Sequence, residues 1–274
     1  MKFTKLVLGL TLSTLSVTAS PVTDDTGRAL DLDQSARRVI ALSPHTAELL
    51  TYVGGDSHLL AAPEYGGSLP AHTLKISALG GIDRERTLQL QPDLVLAWDS
   101  GNRPSDLAWL EKQGIPVFRS EPHDMAAIAA NLRAIGQLVG LAQAGELAAR
   151  RFEKNLEAIC LGTGQQEVYL AVWDKPALSV GGEHWLNGAL RHAQMRNTFA
   201  EVPKSVFPVE REALFDKSEL LQIVPGNAGK GTEAQRLYLP QLSRPGPAIL
   251  QAVERLCEHQ RPSSNRGTEN VIPQ

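Results

Sequence analysis

This chain of 274 residues predicts an α/β fold of two lobes with mostly parallel sheets, joined by a long helical backbone, with a ligand cleft between the lobes. Three observations predict it. Strand-like apolar runs alternate with helix-like stretches on both sides of the middle of the chain, the pattern that builds parallel sheets. Residues 124–160 between them read as helix, break, helix. The loops that follow the apolar runs carry His45, Tyr65 and Trp98, and parallel sheets bind ligands just past the carboxyl ends of their strands.

The middle stretch sets the organisation. Asp124 is placed to cap a helix whose apolar positions Met125, Ile128, Leu132, Ile135 and Val139 recur at helical spacing until Gly140 stops it. In the second helix Leu141, Ala148, Phe152, Leu156 and Ile159 form one stripe. Glu146, Arg150, Glu153, Lys154 and Glu157 face away, with Glu146 and Arg150 a supporting i,i+4 pair. About twenty residues at 1.5 Å each span roughly 30 Å, long enough to hold two lobes apart as a strut. The same pattern also fits a helix pair inside a single α/β domain.

The formal net charge is -3 and no Lys/Arg-rich patch occurs, which argues against nucleic acid or an anionic membrane as partner. The N-terminus carries Lys2 and Lys5, an apolar run over 6–17 and the small residues Val17-Thr18-Ala19, the form of a secretory leader over 1–19. The run is too short for a membrane span, and no Cys at the cut offers a lipid anchor. Export to the periplasm is the expectation, the alternative being an uncleaved anchor. Export permits disulfides, and the two cysteines, Cys160 and Cys257, either bridge the end of the spacer to the last helix or stay as buried thiols. They are too few for a structural zinc site.

In the first lobe, 20–123, a hairpin is expected over 22–32 around Asp24-Asp25-Thr26-Gly27. Val39-Ile40-Ala41-Leu42 reads as a buried strand, followed by Ser43 as N-cap and Pro44 at the first helical position. Further strands are expected over 59–62, 93–98 and 115–118, giving four. Helices are expected between them, capped by Asp83 and Ser105. His45, Tyr65 and Trp98 follow three of these strands. Taken singly, His45 fits an exposed first helical turn, and Tyr65 and Trp98 fit packing residues; together they mark a binding face.

The second lobe, 161–261, offers a strand over 167–173 with its turn at Asp174-Lys175-Pro176, then 178–182 and a helix over about 185–194. After Phe207-Pro208 a short helix is expected over 209–214, then strands over 220–224 and 236–239 and a closing helix over 248–257. Residues 262–274 read as a disordered tail. No nucleophile elbow, HExxH or phosphate-binding loop occurs, so no enzyme is expected. The histidines His184 and His192, with Glu183, are read as solvated rather than metal-binding.

From Arg38-Val39-Ile40-Ala41-Leu42-Ser43-Pro44-His45-Thr46-Ala47-Glu48-Leu49 onward, the chain resembles the helical-backbone class of periplasmic substrate-binding proteins. The likeness continues at Gln91-Pro92-Asp93-Leu94-Val95-Leu96-Ala97-Trp98 with Gly101-Asn102, and at Val172-Trp173-Asp174-Lys175-Pro176 with Gly181-Gly182. It ends at Arg244-Pro245-Gly246-Pro247. The Trp98 and Trp173 runs are most similar to the vitamin B12-binding branch. The resemblance implies that the lobes grip cobalamin as a transported ligand, with no cofactor, and deliver it as a monomer to the permease of an ABC importer. Carried over by position, the ligand contacts are His45, Tyr65, Trp98, Leu178, Phe207 and Arg244, and Glu85 and Glu212 dock on the permease. His45 and Leu79 depart from the pattern, and His45 is expected to approach the ligand's metal face. Ala193 stands where some members have a cysteine that pairs with the position of Cys257, and the shortened segment 216–236 is expected to leave the second lobe incomplete or its cleft open. Haem or an iron chelate is the alternative ligand. An exported hydrolase using Ser43 beside His45 is the distant one.

Overall fold

The computed structural model describes residues 21–64, 69–77, 80–160, 165–210, 212–213, 219–226 and 236–260. The expected leader and tail lie outside the described residues, as do Tyr65 and Leu79. The chain opens on an antiparallel hairpin of β1 (Val22–Thr23) and β2 (Ala29–Leu30). Its turn is built by Asp24, whose Oδ1 accepts the N–H groups of Thr26 and Arg28 at 3.0 Å each.

The first lobe then alternates strand and helix: β3 (Val39–Ala41), α1 (Pro44–Tyr52), β4 (Leu59–Pro63), β5 (Leu74–Ile76), α2 (Arg84–Gln89), β6 (Leu94–Trp98), α3 (Pro104–Lys112) and β7 (Val117–Ser120). These strands form one parallel sheet in the order β5-β4-β3-β6-β7. Both faces are buried, and the period-2 alternation of strand side chains divides the apolar residues between them. Val39, Ala41, Leu94 and Leu96 join the main core, while Ile40, Val95 and Ala97 join a smaller one with Leu107 and Leu110 of α3. Asp83 caps α2 as expected, accepting the Arg86 N–H at 2.9 Å. Ser105 does not cap α3: Arg103 holds that position without a side-chain bond, and Pro104, already helical, starts the helix. The sheet has five strands rather than four. The addition, β5, is three residues long, lies at the edge and buries none of its side chains fully, so it carries little periodic signal.

Next come α4 (Met125–Leu138) and α5 (Ala142–Ala158). Asp124 caps α4 through its Oδ1, which accepts the Ala127 N–H at 2.8 Å, and Gly140 turns the chain with φ +72°. The helix, break, helix expected over 124–160 is present, and the two helices fold back on each other as a hairpin. A Cβ on Gly136 would lie 2.7 Å from the Cα of Gly145, so the two helices touch at backbone distance. Arg133 clamps them further, its Nε 2.7 Å from Glu146 and its Nη1 2.9 Å from Glu153. With 17 residues, α5 spans about 26 Å, somewhat short of the expected strut. Helix α4 packs on α1 and β1 of the first lobe, and α5 packs on the closing helix α7 (Ile249–Gln260).

The second lobe holds two sheets. Strands β8 (Gln166–Leu170), β11 (Met195–Asn197), β13 (Leu221–Val224) and β14 (Arg236–Tyr238) form a parallel sheet in the order β11-β8-β13-β14. Strands β9 (Trp173–Asp174), β10 (Ala177–Val180) and β12 (Val206–Pro208) form an antiparallel ribbon in the order β12-β10-β9. The strand expected over 167–173 is therefore two, parted after Leu170, and 206–208 is strand; within the helix expected over 209–214, the described residues Glu212 and Ala213 are helical. Strand β11 was not expected, because Met195-Arg196-Asn197 has no apolar run. Helix α6 (Leu186–His192) precedes it. Strand β14 pairs with β13 in parallel at Arg236, Leu237 and Tyr238; residues 227–235 lie outside the described residues.

The core explains why the lobes are not loosely linked. One continuous cluster runs from Leu94 and Leu96 through Leu132, Ile135, Phe152 and Leu156 to Val168, Leu170, Ile223 and Leu256. Each such fully buried side chain contributes roughly 1.5–3 kcal/mol. The helical hairpin is thus shared by the cores of both lobes.

Candidate ligand-binding site

The site begins where β3 turns into α1. Ser43 leaves the strand extended and its Oγ accepts the Thr46 N–H at 3.4 Å, while Pro44 supplies the first helical residue. This brings His45 to the carboxyl end of the sheet. His45 is 0% exposed, with Nδ1 3.1 Å from Ser43 Oγ and Nε2 3.2 Å from Ser120 Oγ at the end of β7. Two hydroxyls suit a neutral imidazole, since each can donate or accept as its nitrogen requires. Burial, and secondarily the charge of Arg244, push its pKa down to about 3. The expectation that His45 approaches a ligand's metal face fails in this conformation, because both nitrogens are taken and no ring edge reaches solvent.

His45 instead backs Trp98. The rings meet edge to face, centroids 5.4 Å apart and planes at 89°. Trp98 ends β6, half-buried, and its backbone N–H donates to Asn102 Oδ1 at 2.8 Å. Asn102 Nδ2 donates onward to Leu42 O at 3.3 Å, tying the ends of two strands together. Gly101 is required here: a Cβ would lie 2.1 Å from Cε3 of the indole, so the ring rests on bare backbone. Trp98 is an aromatic wall braced from behind and below.

From the second lobe, Arg244 reaches the same corner. It is 8% exposed, and its Nε donates to Glu48 Oε2 on α1 at 3.0 Å. The other oxygen of Glu48 accepts the Ala248 N–H at the start of α7. A Cβ on Gly246 would lie 3.1 Å from Glu48 Oε2, so that glycine lets the two lobes close on the carboxylate. Glu48 was missed in the sequence because its partners lie about two hundred positions away. A periodic helix gives no sign of such a bond.

The remaining nominated residues group elsewhere. Leu178 and Phe207 lie on the ribbon, both half-buried, but on successive rungs: Phe207 pairs with Ser179 and Leu178 with Pro208. Their side chains therefore leave opposite faces. Phe207 meets Phe199 edge to face at 5.3 Å, and Phe199 meets Tyr169 at 6.0 Å. Glu85 on α2 and Glu212 are both exposed, one in each lobe. Cys160 and Cys257 form a disulfide with Cα atoms 5.8 Å apart. His184 is not solvated: it is half-buried, its Nδ1 accepts the Leu186 N–H at 3.2 Å, and burial lowers its pKa to about 4. Ser43 and His45 are in contact but buried, and the serine caps a helix, so the pair presents no nucleophile. Among the described residues, no three His, Cys, Asp or Glu side chains converge as a metal site.

A sequence model described as periplasmic binding protein matches residues 39–236. The chain is 28% identical over 252 residues to the vitamin B12-binding protein of Vibrio parahaemolyticus, covering 83% of this chain and 90% of that one. It is similar to the crystal structure of the periplasmic vitamin B12 binding protein BtuF of Vibrio cholerae, with a TM-score of 0.71 and 25% identity over 82% of this chain and 96% of that one. The fold is also that of the periplasmic heme-binding protein RhuT from Roseiflexus sp. RS-1, with a TM-score of 0.69 and 18% identity, covering 82% and 97%. Two parallel-sheet lobes on a shared helical hairpin, with side chains from both lobes meeting at one corner, agree with these likenesses, and the chain belongs to the periplasmic binding protein family.

Proposed function

We propose that this protein captures cobalamin between its lobes in the periplasm and delivers it to the permease of an inner-membrane ABC importer, without altering it. The observation that carries the reading is Trp98, a half-exposed indole braced by His45 and Gly101 at the carboxyl end of the first sheet. A flat ligand with an apolar rim needs such a wall already in place, because ordering it on binding subtracts from affinity. The vitamin B12-binding relatives supply the choice of ligand. Arg244, Leu178 and Phe207 join Trp98 as proposed contacts, as does Tyr65 from the likeness in sequence, with His45 as support. Glu85 and Glu212 fit a docking role, which orients the complex more than it holds it, since exposed ion pairs are worth about 0–1 kcal/mol each. The leader over 1–19 would direct the chain to the periplasm.

Calorimetric titration of the purified mature protein with cyanocobalamin and, separately, haemin tests this. Cyanocobalamin should bind one to one, and Trp98→Ala should weaken it by about tenfold or more. With His45 enclosed, the cobalamin absorption bands should keep their positions on binding. Haemin binding in place of cyanocobalamin would reassign the ligand, and heat from neither would end the reading.

A further inference from the structure

The antiparallel ribbon of the second lobe carries an aromatic residue that the site as described does not use. Trp173 is 61% exposed, and with Leu88, Leu147 and Val206 it is one of four large apolar side chains so exposed among the described residues. Single exposed apolar residues are ordinary. Here two of the four, Trp173 and Val206, lie on the outer strands of the same ribbon. The strand register pairs Trp173 with Leu178, Leu178 with Pro208, and Val180 with Val206. Cross-strand partners leave the same face of a sheet, and so do alternate residues of one strand. Trp173, Leu178, Val180, Pro208 and Val206 therefore share one apolar face, a strip buried in the core at Val180 and exposed at Trp173 and Val206, while Ser179 and Phe207 leave the other face.

The strip is held in place. Strand β9 begins three residues past Leu170, the last residue of β8, so Trp173 stands just beyond the carboxyl end of a parallel strand, whereas Trp98 is itself the last residue of one in the first lobe. The indole Nε1 donates to Lys175 O at 3.0 Å. The adjacent Asp174 receives both ends of the Arg236 guanidinium at 3.0 and 3.1 Å, fastening β9 to β14. An exposed indole on a hairpin fastened at both strand and side chain is already positioned to receive a flat surface.

We infer that Trp173 is a further ligand-contact residue, an aromatic face in the second lobe that packs with Leu178 against the apolar rim of a flat macrocycle. The inference rests on the cobalamin reading and deepens it. The two faces of the ribbon differ: Trp173 and Leu178 leave one, and Phe207 leaves the other, where it also meets Phe199.

The test titrates wild type, Trp98→Ala, Trp173→Ala and Trp173→Phe with cyanocobalamin, and records their thermal midpoints. Trp173→Ala should raise Kd by about tenfold with an unchanged midpoint, since its side chain is mostly in solvent. Trp173→Phe should recover most of the affinity. It should also lose part of the fluorescence quenching that the ligand causes in wild type. If wild type and Trp98→Ala behave as proposed while Trp173→Ala binds like wild type, this inference falls and the function stands. If wild type takes up no cyanocobalamin, both fall. A wild type that sediments as a dimer and a Trp173→Ala variant that sediments as a monomer, with equal affinities, would assign the strip to a second copy of the chain and overturn the inference.

Discussion

The two lobes hold their aromatic residues by different means. In the first, Trp98 ends a central strand of a five-stranded sheet and is closed in by His45, Gly101 and Asn102. In the second, Trp173 and Leu178 lie on a narrow ribbon beyond the four-stranded sheet, fastened by hydrogen bonds rather than packing. The first wall depends on the fold being correct over many residues. The second depends on a few bonds and can change without disturbing a core. On the proposed reading, the first lobe offers a rigid wall and the second one that can be adjusted.

The largest expected effect that separates the lobes is in stability. The Cys160–Cys257 disulfide closes a loop of 97 residues around the second lobe alone, and the loss of that closure costs about 4–5 kcal/mol on entropic grounds, less in practice. A Cys160→Ser/Cys257→Ser double variant should lower the urea midpoint of the protein and favour early loss of the second lobe's amide protection. Equal midpoints would show that the apolar core alone holds that lobe. Next in size is Gly101→Ala. Its Cβ would enter the Trp98 ring, so the indole must move, at a cost of about 1–3 kcal/mol and a clear loss of cyanocobalamin affinity. Calorimetry paired with thermal melts would separate the two effects, and unchanged affinity would mean that the wall need not be rigid.

The smallest effect per step is the pH dependence, and both lobes contribute to it. His45 in the first lobe and His184 in the second are held neutral, with pKa values lowered to about 3 and about 4. An unfolded chain binds protons on both near pH 6.5, so below that the unfolded state carries more protons and folding stability falls with falling pH. The slope approaches about 1.4 kcal/mol per pH unit for each histidine and levels off below its folded pKa. Urea titrations between pH 7 and 4 should show the decline, and His45→Gln and His184→Gln should each flatten it. A variant with the wild-type slope would show that its histidine is not protected from protonation.

Much of the first lobe was legible because its signals are local. Ser43 with Pro44, and Asp83 and Asp124 as caps, act within three or four residues, and the buried strands are continuous apolar runs. The two-lobe plan was legible from the helical stretch between them, although the stretch folds as a hairpin around Gly136 and Gly145. What was not legible depends on distance. The enclosure of His45 needs Ser120, 75 positions away, and the role of Glu48 needs Arg244, 196 positions away. A polar residue after a strand otherwise reads as exposed. The disulfide was left open for the same reason, since spacing in sequence does not give the distance between two Cα atoms. Short elements such as β5 and β11 have too few residues to show a period.

The bond between Cys160 and Cys257 has one further consequence. Because it joins the point where the chain enters the second lobe to the helix by which it leaves, a single cut in the backbone anywhere between those residues still leaves one covalent molecule. In a compartment where proteases circulate, a nicked carrier would stay in one piece, keep both jaws attached and part only on reduction.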